Sequence, residues 1–211
     1  AWPERKPWLL NHAYAAYHAG LLAQAERLGY RLEEFAAAAE GLGPAALARV
    51  LRARGMTGVV LFPTPWERRE LPLPLDGLAA VAVGYSLDDR RVNRVATDYF
   101  SNITRICREL RALGYTRIGL CVSPWFDERM HRLISGGFLA AEGSGREGGG
   151  AGGGPAVPIH WARDPNPESP ERLRAWLRRH EPEVILATGG WPHTRYLEEL
   201  GYPVPQRIAL C

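Results

Sequence analysis

The side chains from which a catalytic or metal centre would be built are six histidines, three cysteines and the carboxylates. The histidines stand at 12, 18, 131, 160, 180 and 193 without an HxH or HExxH spacing, and Cys107, Cys121 and Cys211 form no CxxC pair. Asp127 and His131, four apart, would share one face of a helix, but zinc needs further ligands close by, so the pair reads as a surface contact. No GxxxxGK[ST] string is present, and no GxSxG; its nearest relative, Ile134-Ser-Gly-Gly-Phe138, falls inside an expected helix. Gly143-Ser-Gly145-Arg-Glu-Gly148 spells GxGxxG, yet a dinucleotide site needs that turn between a strand and a helix, and here it follows a helix and runs into more glycine. The sequence therefore predicts no enzyme, no cofactor and no metal.

What remains is a set of aromatic and arginine side chains: Phe62, Tyr85, Trp125, Arg129, Arg132, Trp161 and Trp191. Aromatic faces with a few polar groups suit a small, partly apolar or sugar-like ligand. Their meaning depends on the elements that carry them. The aromatics follow short apolar runs, at Phe62-Pro63, Tyr85-Ser86, Ser123-Pro-Trp125, His160-Trp161 and Thr188-Gly-Gly-Trp191. In an open α/β sheet these are the carboxyl ends of strands, where ligands bind.

One phrase organises the chain. An amphipathic helix closes on glycine, and an apolar run follows: Leu28-Gly29-Tyr30, Arg54-Gly55, Leu113-Gly114-Tyr115 and Leu200-Gly201-Tyr202. Glycine supplies the left-handed residue that ends a helix, and the run after it fits a strand of a parallel sheet. The resulting helices are near 13–28, 44–54, 97–113, 127–141, 169–180 and 193–200. The strands are near 30–35, 57–62, 79–85, 116–122, 156–161, 183–188 and 206–211. Helix and strand alternate, which is the pattern of an α/β fold with parallel, doubly wound sheets. Thr97 or Asp98 stands where the helix at 97–113 needs its cap.

The polar stretch Ser86–Val95 separates the strands into two groups, giving an N-terminal lobe over 1–88 and a C-terminal lobe over 92–211. The glycine-rich stretch 143–154 reads as a flexible exposed loop. Both ends read as cut: no apolar strand precedes the first helix, and Ile208-Ala-Leu-Cys211 stops inside a strand-like run.

At 211 residues, 46% hydrophobic and 23% charged, the chain is long and apolar enough for a real core, which excludes the disordered class. Three scattered cysteines fit free thiols in a reducing cytoplasm rather than a disulfide scaffold. No apolar run reaches the ~18–20 residues that span a bilayer, so no membrane partner is expected. Only Lys6 among the 26 basic residues is lysine, but the net charge is just +3, and the arginines lie beside glutamates as solvated helix faces rather than as a nucleic-acid surface.

Several stretches resemble the effector-binding core of LacI/GalR-family transcription regulators, which have the periplasmic-binding-protein fold. Gly20-Leu-Leu-Ala-Gln-Ala-Glu-Arg-Leu-Gly-Tyr30 is similar to that family's first core helix and turn, and Gly58-Val-Val-Leu-Phe-Pro63 with Ala82-Val-Gly-Tyr85 to its third and fourth strands. Val95-Ala-Thr-Asp98-Tyr-Phe-Ser-Asn102, then Leu110-Arg-Ala-Leu-Gly-Tyr-Thr-Arg-Ile-Gly119, is similar to V-x-x-D-N-x-x-G…L-x-x-L-G-H-x-R-I. Leu200-Gly-Tyr-Pro-Val-Pro-Gln-Arg-Ile208 resembles a later G-x-x-V-P-x-D-I phrase. The chain departs at Tyr99 and Asn102, at Gly84-Tyr85 and at Thr188-Gly-Gly190, positions where family members carry groups that commonly bind sugar hydroxyls.

The resemblance implies a two-lobed core of a repressor in the cytoplasm. A small-molecule effector between the lobes would shift their orientation in a homodimer, and operator DNA would be read by an N-terminal helix-turn-helix outside this chain. Arg129 and Arg132 occupy the neighbourhood where the family's arginines touch effector. The alternative is an extracytoplasmic solute-binding protein of the same fold that takes a sugar-like ligand for transport.

Overall fold

In the computed structural model, which describes residues 12–35, 43–63, 73–147, 156–162, 170–188 and 192–211, the chain divides into two units that meet at Thr97 and Asp98. The first holds helices α1 (His12–Arg27) and α2 (Pro44–Ala53) and strands β1 (Gly58–Leu61), β2 (Ala79–Val83) and β3 (Asn93–Val95). Pro44 opens α2, its fixed φ suiting the first helical position. From there Ala48 and Leu51 are carried into a cluster with Leu73 and Leu78. Gly55 closes it at φ +67°, which lets the Met56 N–H donate back to the Leu51 carbonyl at 3.0 Å. The same six-residue closure recurs where Tyr30 donates to Ala25, Tyr115 to Leu110 and Tyr202 to Leu197. All four expected turns are present.

The strands pair in parallel in the order β1-β2-β3, with Gly58 beside Ala79 and Val81 beside Asn93. The strand expected over 30–35 is not there. Arg31, Glu33 and Glu34 leave that run too charged for a sheet interior. Glu33 instead pairs with Arg31 and Arg54, Glu34 with His18, and Phe35 packs against the α2 cluster with the Arg54 guanidinium 5.4 Å over its ring. The polar stretch expected to separate the two lobes holds β3, so the first unit runs past residue 88 to Thr97.

The second unit begins with Asp98, whose carboxylate accepts from the Ser101 N–H at 3.0 Å and caps helix α3 (Tyr99–Ala112). Strand β4 (Ile118–Val122) follows, then α4 (Pro124–Arg129), α5 (Leu133–Glu147), β5 (His160–Trp161), α6 (Pro170–His180), β6 (Val184–Ala187), α7 (Thr194–Glu199) and β7 (Ala209–Leu210). The parallel order β5-β4-β6-β7 puts β4, buried at every residue, in the middle. Gly119 and Cys121 face α6: a Cβ on Gly119 would stand 2.6 Å from the Trp176 ring, and Cys121 shares a core with Leu173, Trp176 and Leu177. Alternate residues of a strand point to opposite faces, so Ile118, Leu120 and Val122 face the other side, where α5 packs on β4 and on α3. The sheet is doubly wound, as expected.

Two further expectations change here. The helix expected over 127–141 is two helices. Ser123 caps α4 by accepting from the Phe126 N–H at 3.1 Å, Pro124 starts it, and the chain breaks at His131 and Arg132, both left-handed at φ +55° and +59°. The expected loop over 143–154 is helical through Glu147, because α5 lies along α3 and Glu142 pairs with Arg111 near that end; residues 148–154 are outside the described residues.

Candidate functional site

Strand order decides where a ligand fits. β4 has β5 on one side and β6 on the other, and the chain winds α4 and α5 over one face and α6 over the opposite one. That makes the carboxyl end of β4 the topological switch point of the sheet, the place where such sheets bind ligands. Immediately beyond it Ser123 and Pro124 turn the backbone into α4, and Thr188 beyond β6 donates its hydroxyl to the Cys121 carbonyl at 2.9 Å, closing the strand ends together.

An open recess of about 200 Å³ lies there, lined by Pro124, Asp127, Glu128, Arg132 and Trp161. Its floor is rigid. Asp127 is 1% exposed, and its two carboxylate oxygens accept from Ser135 at the start of α5, the N–H at 3.0 Å and the hydroxyl at 2.6 Å. The Asp127 carbonyl also accepts from the Arg132 N–H at 2.7 Å. These bonds tie α4 to α5 across the left-handed turn. A non-glycine residue in that region costs of order 1–3 kcal/mol and persists only where its surroundings over-determine it; Asp127 does so here.

Of the residues singled out from the sequence, Arg132 and Trp161 line this recess. Trp161 ends β5 and is 38% exposed, so apolar surface of the indole is open to a ligand. Arg132 is exposed, and its guanidinium has no hydrogen bond or ion pair among the described residues. Trp125 and Arg129 are together but not at the recess wall. Arg129 is buried, with its guanidinium 5.7 Å over the Trp125 ring.

In the first unit Phe62 directly follows β1 and meets the His18 ring edge-on, with centroids 6.0 Å apart. Tyr85 follows β2, and the Arg94 guanidinium covers its ring at 5.3 Å while donating to the Gly84 and Leu87 carbonyls, each at 2.7 Å. Both sit at strand carboxyl ends as expected. Trp191 lies outside the described residues.

The residues that sequence reasoning missed are Asp127 and Glu128. The sequence pairs Asp127 with His131 on one face of an unbroken helix; the structure instead buries Asp127 and places His131 in the left-handed turn. The signal that would have found it is Ser123-Pro124, a cap residue followed by proline at the first helical position.

No protein-family model matches the chain, and no curated protein sequence does. Solved structures do. The chain is similar to a protein from Burkholderia thailandensis assigned as a ribose operon repressor, at 20% identity and TM-score 0.65, over 96% of this chain and 74% of that one. It is similar to the Escherichia coli transcriptional repressor ascG at 15% and 0.61, over 95% and 73%. A third is a periplasmic binding protein/LacI transcriptional regulator from Alkaliphilus metalliredigens QYMF complexed with D-xylulofuranose, at 14% and 0.58, over 93% and 71%. At these identities the likeness shows the fold: the α/β, periplasmic-binding-protein-like architecture with parallel sheets that the sequence resemblance to LacI/GalR regulators implies. No helix among the described residues is long and apolar enough to cross a membrane.

Proposed function

We propose that residues 1–211 form the ligand-sensing core of a LacI/GalR-type transcriptional regulator, a binding protein rather than an enzyme, working as a repressor in the cytoplasm. The observation that carries this is the recess at the switch-point end of β4, in a chain whose fold is that of such regulators. Phe62, Tyr85, Trp125, Arg129, Arg132, Trp161 and Trp191 are the proposed ligand-binding set. Within it Arg132 and Trp161 meet the small-molecule effector directly, and Arg129 holds Trp125 in place. Binding would favour one arrangement of the two lobes, by no more than the effector's differential affinity for the alternatives. A homodimer would hand that bias to helix-turn-helix segments on operator DNA.

A second reading has support in the ligand-bound structure described as a periplasmic binding protein: a solute-binding protein that delivers a sugar-like ligand for transport. The reading frame upstream of Ala1 separates the two. About 60 residues with a helix-turn-helix are expected; a cleavable signal peptide there overturns the regulator and leaves the transport reading.

A further inference from the structure

Three charged side chains line one small recess, and none has an ionic partner among the described residues. Asp127 is almost wholly buried, yet the donors that reach its carboxylate come from a single neutral residue, Ser135. An ionised carboxylate offers about four lone-pair sites, and Ser135 fills two of them. A buried charge without a counter-charge is costly, which makes Asp127 a place where a cationic donor gains more than it would in water.

Glu128 adds a second, exposed carboxylate on the same side of the turn, with no side-chain hydrogen bond among the described residues. Arg132 brings the opposite sign. Its fork of five N–H donors is unengaged, and the Asp127–Ser135 clamp sets the strained turn from which it projects. Trp161 supplies exposed apolar surface beside them.

Resting on the ligand-sensing reading above, we propose that this recess takes a zwitterionic ligand of the free amino acid class. Its carboxylate lies in the Arg132 fork, its ammonium lies toward Asp127 and Glu128, and its side chain lies on Trp161. A neutral polyol satisfies lone pairs but leaves three charges partly desolvated without counter-charges. A phosphate meets Arg132 but also two carboxylates. A compact molecule carrying one charge of each sign complements all three residues, and a recess of about 200 Å³ accommodates it.

The test is calorimetric titration of the full chain with the standard L-amino acids, D-ribose, D-xylose and inorganic phosphate. The methyl ester and the N-acetyl derivative of the tightest amino acid follow. At least one free amino acid is expected to bind, with both derivatives at least tenfold weaker. Arg132→Ala and Glu128→Gln change exposed side chains, so both variants fold. Arg132→Ala weakens the free amino acid at least tenfold but the ester little, and Glu128→Gln weakens the free amino acid more than the N-acetyl form. Derivatives that bind as tightly as the parent overturn the proposal, as does a panel in which no amino acid binds. Binding of D-ribose, D-xylose or phosphate in place of the amino acids overturns it too, while leaving the sensing reading standing.

Discussion

At Gly137 α5 passes close to the α3 backbone, and an alanine there gives a sharp test of how the recess is supported. A Cβ at Gly137 would stand 2.8 Å from the Phe100 carbonyl oxygen, 3.2 Å from its Cα and 3.3 Å from the Ile103 Cβ. Two of those atoms are backbone and cannot rotate away, so α3 and α5 must separate. Overpacking of this kind costs about 1–3 kcal/mol, and the rigid partners put Gly137→Ala at the upper end. Against it stands the helix-propensity gain of roughly 1 kcal/mol for replacing glycine by alanine. The net expectation is a loss of about 1–2 kcal/mol.

The neighbouring Gly136 is the internal control. Its nearest contacts are Phe100 ring carbons at 3.9 Å, ordinary van der Waals distance, so Gly136→Ala keeps the propensity gain and stabilises by ~0.5–1 kcal/mol. Urea unfolding of both variants and the parent, compared at constant m, measures this. The two variants are expected on opposite sides of the parent, about 1.5–3 kcal/mol apart. A Gly137→Ala protein as stable as the parent would refute the close-approach argument.

Other expectations follow from the same structure. Glu183 accepts from the N–H groups of Arg117 and Thr116 at the start of β4, at 2.9 and 2.7 Å, and these bonds, the Arg117 one foremost, hold its carboxyl below the usual glutamate range. Because the folded value is the lower one, its contribution is full above an unfolded value of about 4.3 and fades as pH falls below that. Glu183→Ala should cost about 1–3 kcal/mol at neutral pH in thermal unfolding, and should flatten the acid limb of the stability profile. Burial pushes the Cys107 thiol up to about 11, so iodoacetamide at pH 8 should label exposed Cys211 in the native protein and reach Cys107 only after denaturation. Equal native labelling of the two, read by mass spectrometry, contradicts the packing of α3. Asp127→Ala removes the carboxylate that accepts from the Ser135 N–H and hydroxyl, so it should destabilise the α4–α5 turn by about 2–4 kcal/mol and weaken ligand binding with it.

The sequence carries much of this fold because local rules and tertiary demands agree there. Four helix ends marked by glycine are four turns in the structure, and Asp98 caps α3 as its position before the amphipathic stripe requires. Agreement failed where a segment's structure is set by its neighbours. Asn93-Arg-Val95 has no strand pattern of its own and becomes β3 by pairing with β2. The charged run 30–35 gains side-chain partners instead of a strand neighbour. At the site, Trp161 and Arg132 were legible because strand-end aromatics and arginines carry a chemical signature. Asp127 was not, because its burial depends on a helix break at two non-glycine residues that no propensity foretells.

The most direct measurement is fluorescence anisotropy of operator DNA binding by the full-length protein, titrated with and without a ligand that occupies the recess. The ligand is expected to shift operator affinity by at least about fivefold, the lower range for coupled sites, and Arg132→Ala to abolish the shift. Specific operator binding that ignores the ligand, or no operator binding at all, would contradict it.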